Sequence, residues 1–172
     1  KFESRLELHV GSIRHILAAA FQVRVREVVN GEYYVQFIYP REDGDTERYT
    51  ALLEGHDIVF PQNIERGQSF RIRRVEEVRE GRKVYKVVEA HHIAFTLNNY
   101  YLDDYIDFAA GRTLESMLTM LGNGTPFTFA VEGSFPAQDI FDWGEKNRYD
   151  LLQELRQLYG AEIAHNNYTI TL

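Results

Sequence analysis

The 172 residues include no cysteine, which removes disulfide frameworks, thiolate zinc sites and cysteine nucleophiles together. No apolar run approaches the roughly 20 residues a membrane-crossing helix needs, and there is neither an internal repeat nor a low-complexity tract. Positive charge is in deficit. Against 26 Asp and Glu stand 19 Lys and Arg, a formal charge of −7 with a pI near 5.4, and this excludes an electrostatic nucleic-acid binder built on clustered cations. Arg71, Arg73, Arg74, Arg79 and Arg82 recur, but Glu76, Glu77 and Glu80 lie among them, as on a solvated strand. Catalytic signatures are missing as well. His9, His15, His56, His91, His92 and His165 form no H-E-x-x-H, H-x-H or H-x-x-x-D spacing, the spacings that bring imidazoles to one zinc ion. There is no G-x-S-x-G elbow and no G-x-x-x-x-G-K-[ST] loop. His91 and His92 are strand neighbours that point to opposite faces, which predicts a structural role. The pairs Asp103-Asp104 and Glu76-Glu77 read as solvated faces, because carboxylates do acid–base work only where a cleft desolvates one of them. No catalytic, cofactor-binding or metal-ligating residue is expected.

What is present is an apolar content of 44%, enough for a soluble globular chain of one domain or two small ones. The stretch from Gly67 to Leu97 organises the rest. Tyr85, Val87, His91, Ile93, Phe95 and Leu97 fall on one parity, and Lys86, Ala90, His92 and Thr96 on the other, predicting one long, half-buried strand with its apolar face on the first set and Val88 and Glu89 as exceptions. Phe70 and Ile72, then Val75 and Val78 after phase slips near Arg73 and Arg74, predict its bulged partner, turning at Glu80–Arg82. A hairpin this long cannot bury its face alone, so neighbouring segments must add strands and a cover.

Upstream, Leu6, Leu8 and Val10 alternate as a short strand, and residues 13–20 fit a brief helix or an extended piece equally. Phe21, Val23 and Val25 alternate, and so do Tyr33, Val35, Phe37 and Tyr39. Asn30-Gly31 between them predicts a type I′ turn with φ > 0 at both residues. Tyr49–Leu53 and Asp57–Phe60 read as short strands. Downstream, residues 100–111 are aromatic-rich without a clean period. Tyr100, Tyr101 and Tyr105 there are either core tyrosines with hydroxyls at the rim or anchors of a subunit interface. Thr113 predicts a helix N-cap with Leu114, Met117, Leu118 and Leu121 as the apolar stripe and Gly122 at a left-handed C′ position. Phe127, Phe129 and Val131 predict a strand, and Trp143 falls in a loop between Pro136 and Gly144. Asn147 predicts a second N-cap, with Leu151, Leu152, Leu155, Leu158 and Tyr159 buried and Gly160 closing the helix. A hairpin about Asn166-Asn167 ends the chain. The fold class is α+β and β-dominated: small antiparallel β-barrel-like domains with two helices in the C-terminal half.

Gln68-Ser69-Phe70-Arg71-Ile72, a charged hairpin, and then Val88-Glu89-Ala90-His91-His92-Ile93-Ala94-Phe95 resemble the "Q-x-F-R-I … A-x-H-I-x-F-x-L" core of phage tail proteins of the prophage endopeptidase tail, or minor structural, family. Gly31-Glu32-Tyr33-Tyr34, the helix at Thr113, Trp143 and Tyr159-Gly160-Ala161-Glu162 follow in that family's order, and the resemblance covers about residues 20–172. Residues 1–19 match poorly, and Ala94–Leu97 lacks an acid that often precedes the leucine. The resemblance implies the N-terminal hub fragment of a tail-tip protein, with a fold like baseplate hub proteins, in the phage virion after assembly in the bacterial cytoplasm. It further implies a homotrimeric ring at the end of the tail tube that contacts the distal tail protein and other tail-tip proteins. A ring through which DNA passes suits an acidic protein, since it must not hold phosphate tightly.

Two domains are expected, a β-rich barrel-like one over 1–98 and an α+β one over 99–172 that continues past Leu172, where a lytic domain of a tail-associated lysin can follow. Within these residues no enzyme, cofactor, membrane span or specific nucleic-acid binding is expected. Two other classes stand beside the hub: a peptidoglycan hydrolase, from the family name and the many acids, and a carbohydrate-binding module with Tyr100, Tyr101, Tyr105 and Trp143 as stacking platforms.

Overall fold

The structure, a computed structural model, describes residues 5–172, so the start of the domain expected over 1–98 lies outside the described residues. Two compact units divide the chain, one up to Ile93 and one from Ala94 to Leu172.

The first unit is a curled antiparallel half-barrel. Its elements are β1 (Glu7–Val10), β2 (Ile13–Ile16), β3 (Phe21–Glu27), β4 (Tyr33–Pro40), the short helix α1 (Thr46–Ala51), β5 (Asp57–Val59), β6 (Ser69–Glu80) and β7 (Lys83–His92). The sheet order is β2-β1-β5-β6-β7-β4-β3. Residues 13–16, ambiguous in the sequence, are the strand β2. Tyr33, Val35, Phe37 and Tyr39 are buried at alternate positions of β4, as the period-2 pattern predicts. Each such large side chain contributes on the order of 2 kcal/mol by leaving water. β6 carries a bulge between Ile72 and Arg74, where the phase slip predicts one.

The first unit departs from the sequence pattern at four places. The buried parity of β7 is the opposite of the one predicted: Lys86, Val88, Ala90 and His92 face the core, and Tyr85, Val87 and His91 lie half-buried on the other side. Register dictates this, because Val35, Phe37 and Tyr39 of β4 stand opposite Ala90, Val88 and Lys86, and directly opposed residues share a face. Lys86 is tolerated inside because its Nζ donates to the carbonyls of Tyr49 at 2.7 Å and Leu52 at 2.9 Å and lies 4.7 Å from the Tyr49 ring centroid. Burial pushes its pKa down. His92 stacks on Tyr33 at 4.6 Å and donates from Nε2 to Gln68 Oε1 at 2.8 Å. Second, the strand stops at His92 instead of running to Leu97; Ile93–Asn99 forms 3₁₀ turns that bury Ile93, Ala94 and Leu97. Third, the strand predicted over Tyr49–Leu53 is instead preceded and partly replaced by α1, whose buried Tyr49 donates its hydroxyl to Glu77 at 2.9 Å. Fourth, the β3–β4 turn has φ > 0 at Asn30 (59°) but not at Gly31; Gly31 N–H donates to the Val28 carbonyl at 2.9 Å, so the turn spans Val28–Gly31 and is not type I′.

The second unit contains β8 (Tyr101–Arg112), α2 (Leu114–Gly122), β9 (Thr128–Ala130), β10 (Gln138–Asn147), α3 (Arg148–Tyr159), β11 (Ala164–Asn166) and β12 (Thr169–Thr171). β8 pairs with β10 in a two-stranded sheet, and β11, β12 and β9 form a second sheet in which β12 and β9 run parallel. Both predicted caps are made: Thr113 Oγ1 accepts from Ser116 N–H at 3.2 Å and Asn147 Oδ1 from Asp150 N–H at 2.9 Å. Such caps are each worth about 1 kcal/mol. Arg148, opening α3, donates to the Leu121 carbonyl at 2.6 Å and so satisfies the C-terminal end of α2, a role suited to a cation there. The apolar stripes of both helices meet a core with Leu102, Ile140, Trp143, Ile163 and Ile170.

Three more expectations change. Gly160 is left-handed at φ 68° as predicted, but Gly122 is an ordinary helical residue whose missing side chain makes room for Phe129; a Cβ there would lie 3.1 Å from that ring. Leu158 is exposed, not part of the α3 core face. Trp143 is buried at the centre of strand β10, not in a loop.

Candidate assembly surface

The aperiodic run after Asn99 becomes the twelve-residue strand β8, and its partner β10 has ten residues. They pair from Gln138 opposite Arg112 to Asn147 opposite Tyr101, with irregularities at Gln138/Ile140 and Gly144/Lys146. Asp142 (φ 47°), Gly144 (φ 124°) and Glu145 (φ 46°) break the strand period, so Ile140 and Trp143 point into the core at a spacing of three. This is why the sequence shows no alternation.

The other face of the ribbon is apolar and exposed. Tyr101, Tyr105, Phe108 and Phe141 are 55, 50, 56 and 65% exposed, and the Phe108 and Phe141 rings touch at 5.0 Å between centroids. The tyrosines are tethered to the facing strand: Tyr105 OH donates to Asp142 Oδ1 at 2.7 Å and Tyr101 OH to the Glu145 carbonyl at 2.5 Å. The Asp142 carboxylate pushes the Tyr105 hydroxyl up to about 12, so it stays a proton donor to that carboxylate. With their hydroxyls engaged, the rings present apolar faces in fixed positions, the kind of low-entropy contact area enriched at protein interfaces.

Of the three tyrosines singled out in the sequence, Tyr101 and Tyr105 lie together on this face. Tyr100 packs against the core of the unit, edge-on to Phe127. Phe108 and Phe141 were missed because nothing local shows that residues 33 apart stand opposite each other. Trp143, offered as a sugar-stacking platform, is buried and unavailable for that task. His91 and His92 point to opposite faces, His91 toward Glu89 at 3.1 Å. No group of three or more potential metal ligands occurs among the described residues. A groove of about 340 Å³ between α2 and β9 is lined by Leu118, Phe127, Phe129 and Val131, with Glu115 as its single carboxylate. No described helix is long and apolar enough to cross a membrane.

Residues 8–92 match the family model of the prophage endopeptidase tail N-terminal domain, the family that the Gln68–Ile72 and Val88–Phe95 runs resemble. No curated protein matches the chain. Among solved structures, the prophage tail protein gp18 from Listeria monocytogenes EGD-e is similar over 98% of this chain and 50% of its own, at 19% identity and TM-score 0.82. The 43 kDa tail protein of prophage MuSo2 from Shewanella oneidensis is similar over 98% of this chain and 53% of its own, at 12% identity and TM-score 0.67. A type VI secretion component of E. coli, itself described as similar to the T4 bacteriophage tail proteins gp27 and gp5, covers 96% of this chain and 48% of its own at 12% identity and TM-score 0.51. At these identities what is shared is the fold, and this chain spans about half the length of each of these structures.

Proposed function

We propose, from the prophage-tail domain at residues 8–92 and the tail-protein fold shared across the chain, that this protein is an architectural part of a phage tail tip. It forms the N-terminal portion of a hub that assembles as a homotrimeric ring at the end of the tail tube, beside the distal tail protein, after synthesis in the bacterial cytoplasm. The observation that carries this reading is the whole-chain match at TM-score 0.82 to a prophage tail protein. The exposed aromatic face of the β8–β10 ribbon supports it, because a monomer rarely leaves four large rings together in water.

Immunogold labelling of tails from an induced host, with antibody against this chain, tests the placement. Label confined to the distal end is expected, together with loss of complete tails when the gene is deleted. Tails that carry no label would overturn the reading.

A further inference from the structure

Charge is unevenly divided along the chain. Up to Ile93 there are 15 Lys and Arg against 15 Asp and Glu, and from Ala94 onward 4 against 11, so the whole formal charge of −7 belongs to the second unit. The ribbon holds six of those eleven acids against Arg112 and Lys146, and Lys146 is taken by Glu154 of α3. Asp103, Asp104 and Asp107 are exposed along β8 and make no ion pair among the described residues. In sequence they stand between and beside the exposed Tyr101, Tyr105 and Phe108 of the same strand.

An apolar face with an acidic border is met by an apolar surface that brings cations. A second ribbon does not qualify, since it would set the same aspartates against each other. The strand β3 does. It ends the seven-stranded sheet, so one row of its N–H and C=O groups is open to pairing. Phe21, Val28 and Val29 on and beside it are exposed, and among the described residues Arg24 is exposed without an ion pair and Arg26 pairs with the exposed Glu32 at 3.5 Å. The opposite end strand, β2, is four residues long against seven and carries one arginine, Arg14.

We infer that the β8 side of the ribbon in one copy docks on β3 of a second copy, with Asp103, Asp104 and Asp107 facing Arg24 and Arg26. This rests on the assembly reading above and adds the two surfaces that meet. Because the two surfaces differ, the contact is head-to-tail, and it makes a ring when its rotation closes.

Charge exchange read by sedimentation equilibrium tests the contact. The native chain is expected to associate into multiples of 20.1 kDa, less tightly as salt rises. Asp103→Arg with Asp104→Arg, and separately Arg24→Glu with Arg26→Glu, each weaken association about tenfold or more, about 1.4 kcal/mol, with unchanged circular dichroism. A chain carrying all four changes regains it. A native chain monomeric at every concentration, reversals that associate like the native chain, or a fourfold variant that stays apart would each overturn the contact. Labelled tails alongside any of those results leave the tail-tip reading standing, and unlabelled tails alongside successful charge exchange sink that reading while the contact survives.

Discussion

Lys86 and His165 are polar residues placed inside their units, and each is governed by what surrounds it. Lys86 reads as a solvent-facing strand residue until the carbonyls of Tyr49 and Leu52, more than thirty residues away, receive its ammonium. His165 is 6% exposed, beside the Phe95 ring, and burial pushes its pKa down from 6.5 to about 4. The unfolded chain therefore binds a proton near pH 6.5 that the folded chain refuses until about 4. Stability is complete above 6.5 and falls as pH drops through that window, by about 3 kcal/mol at its end. Urea unfolding from pH 7 to 4 should show this loss in the native chain, and His165→Gln should remove that share of it. Equal pH dependence in the two proteins would refute the assignment.

At the scale of elements, the ribbon depends on Gly144. Its φ of 124° is closed to side chains, and a Cβ would lie 2.0 Å from the Asp104 carbonyl oxygen of the facing strand. Gly144→Ala should cost about 3 kcal/mol or more. Gly111→Ala, also at positive φ but with open space around it, should cost about 1 kcal/mol. Fluorescence of Trp143, the single tryptophan, one residue from the site, reports both in a urea titration; equal midpoints would show that the close approach is not rigid. The helices were the most legible elements because cap and apolar stripe are encoded within a dozen residues, as at Thr113 and Asn147, and for the second of them the terminating Gly160 as well. The ribbon was illegible for the converse reason: Asp142, Gly144 and Glu145 destroy the period by which a strand is recognised.

For the whole molecule, each unit buries its own core, and the cluster of the second unit draws all its members from Ala94 to Leu172. Residues 94–172 expressed alone should fold cooperatively, with the blue-shifted emission of a buried Trp143; emission at the water-exposed wavelength would refute their independence. Local period, caps and turn residues by themselves determined the β-dominated α+β class, both long helices and the central bulged hairpin, while the Gln68–Ile72 and Val88–Phe95 runs carried the family resemblance. Which face of β7 is inward, and which aromatic rings share the ribbon surface, were decided only by tertiary structure. Parity says that two faces differ, but the core side is set by the register with β4, and the meeting of Phe108 with Phe141 by pairing across 33 residues.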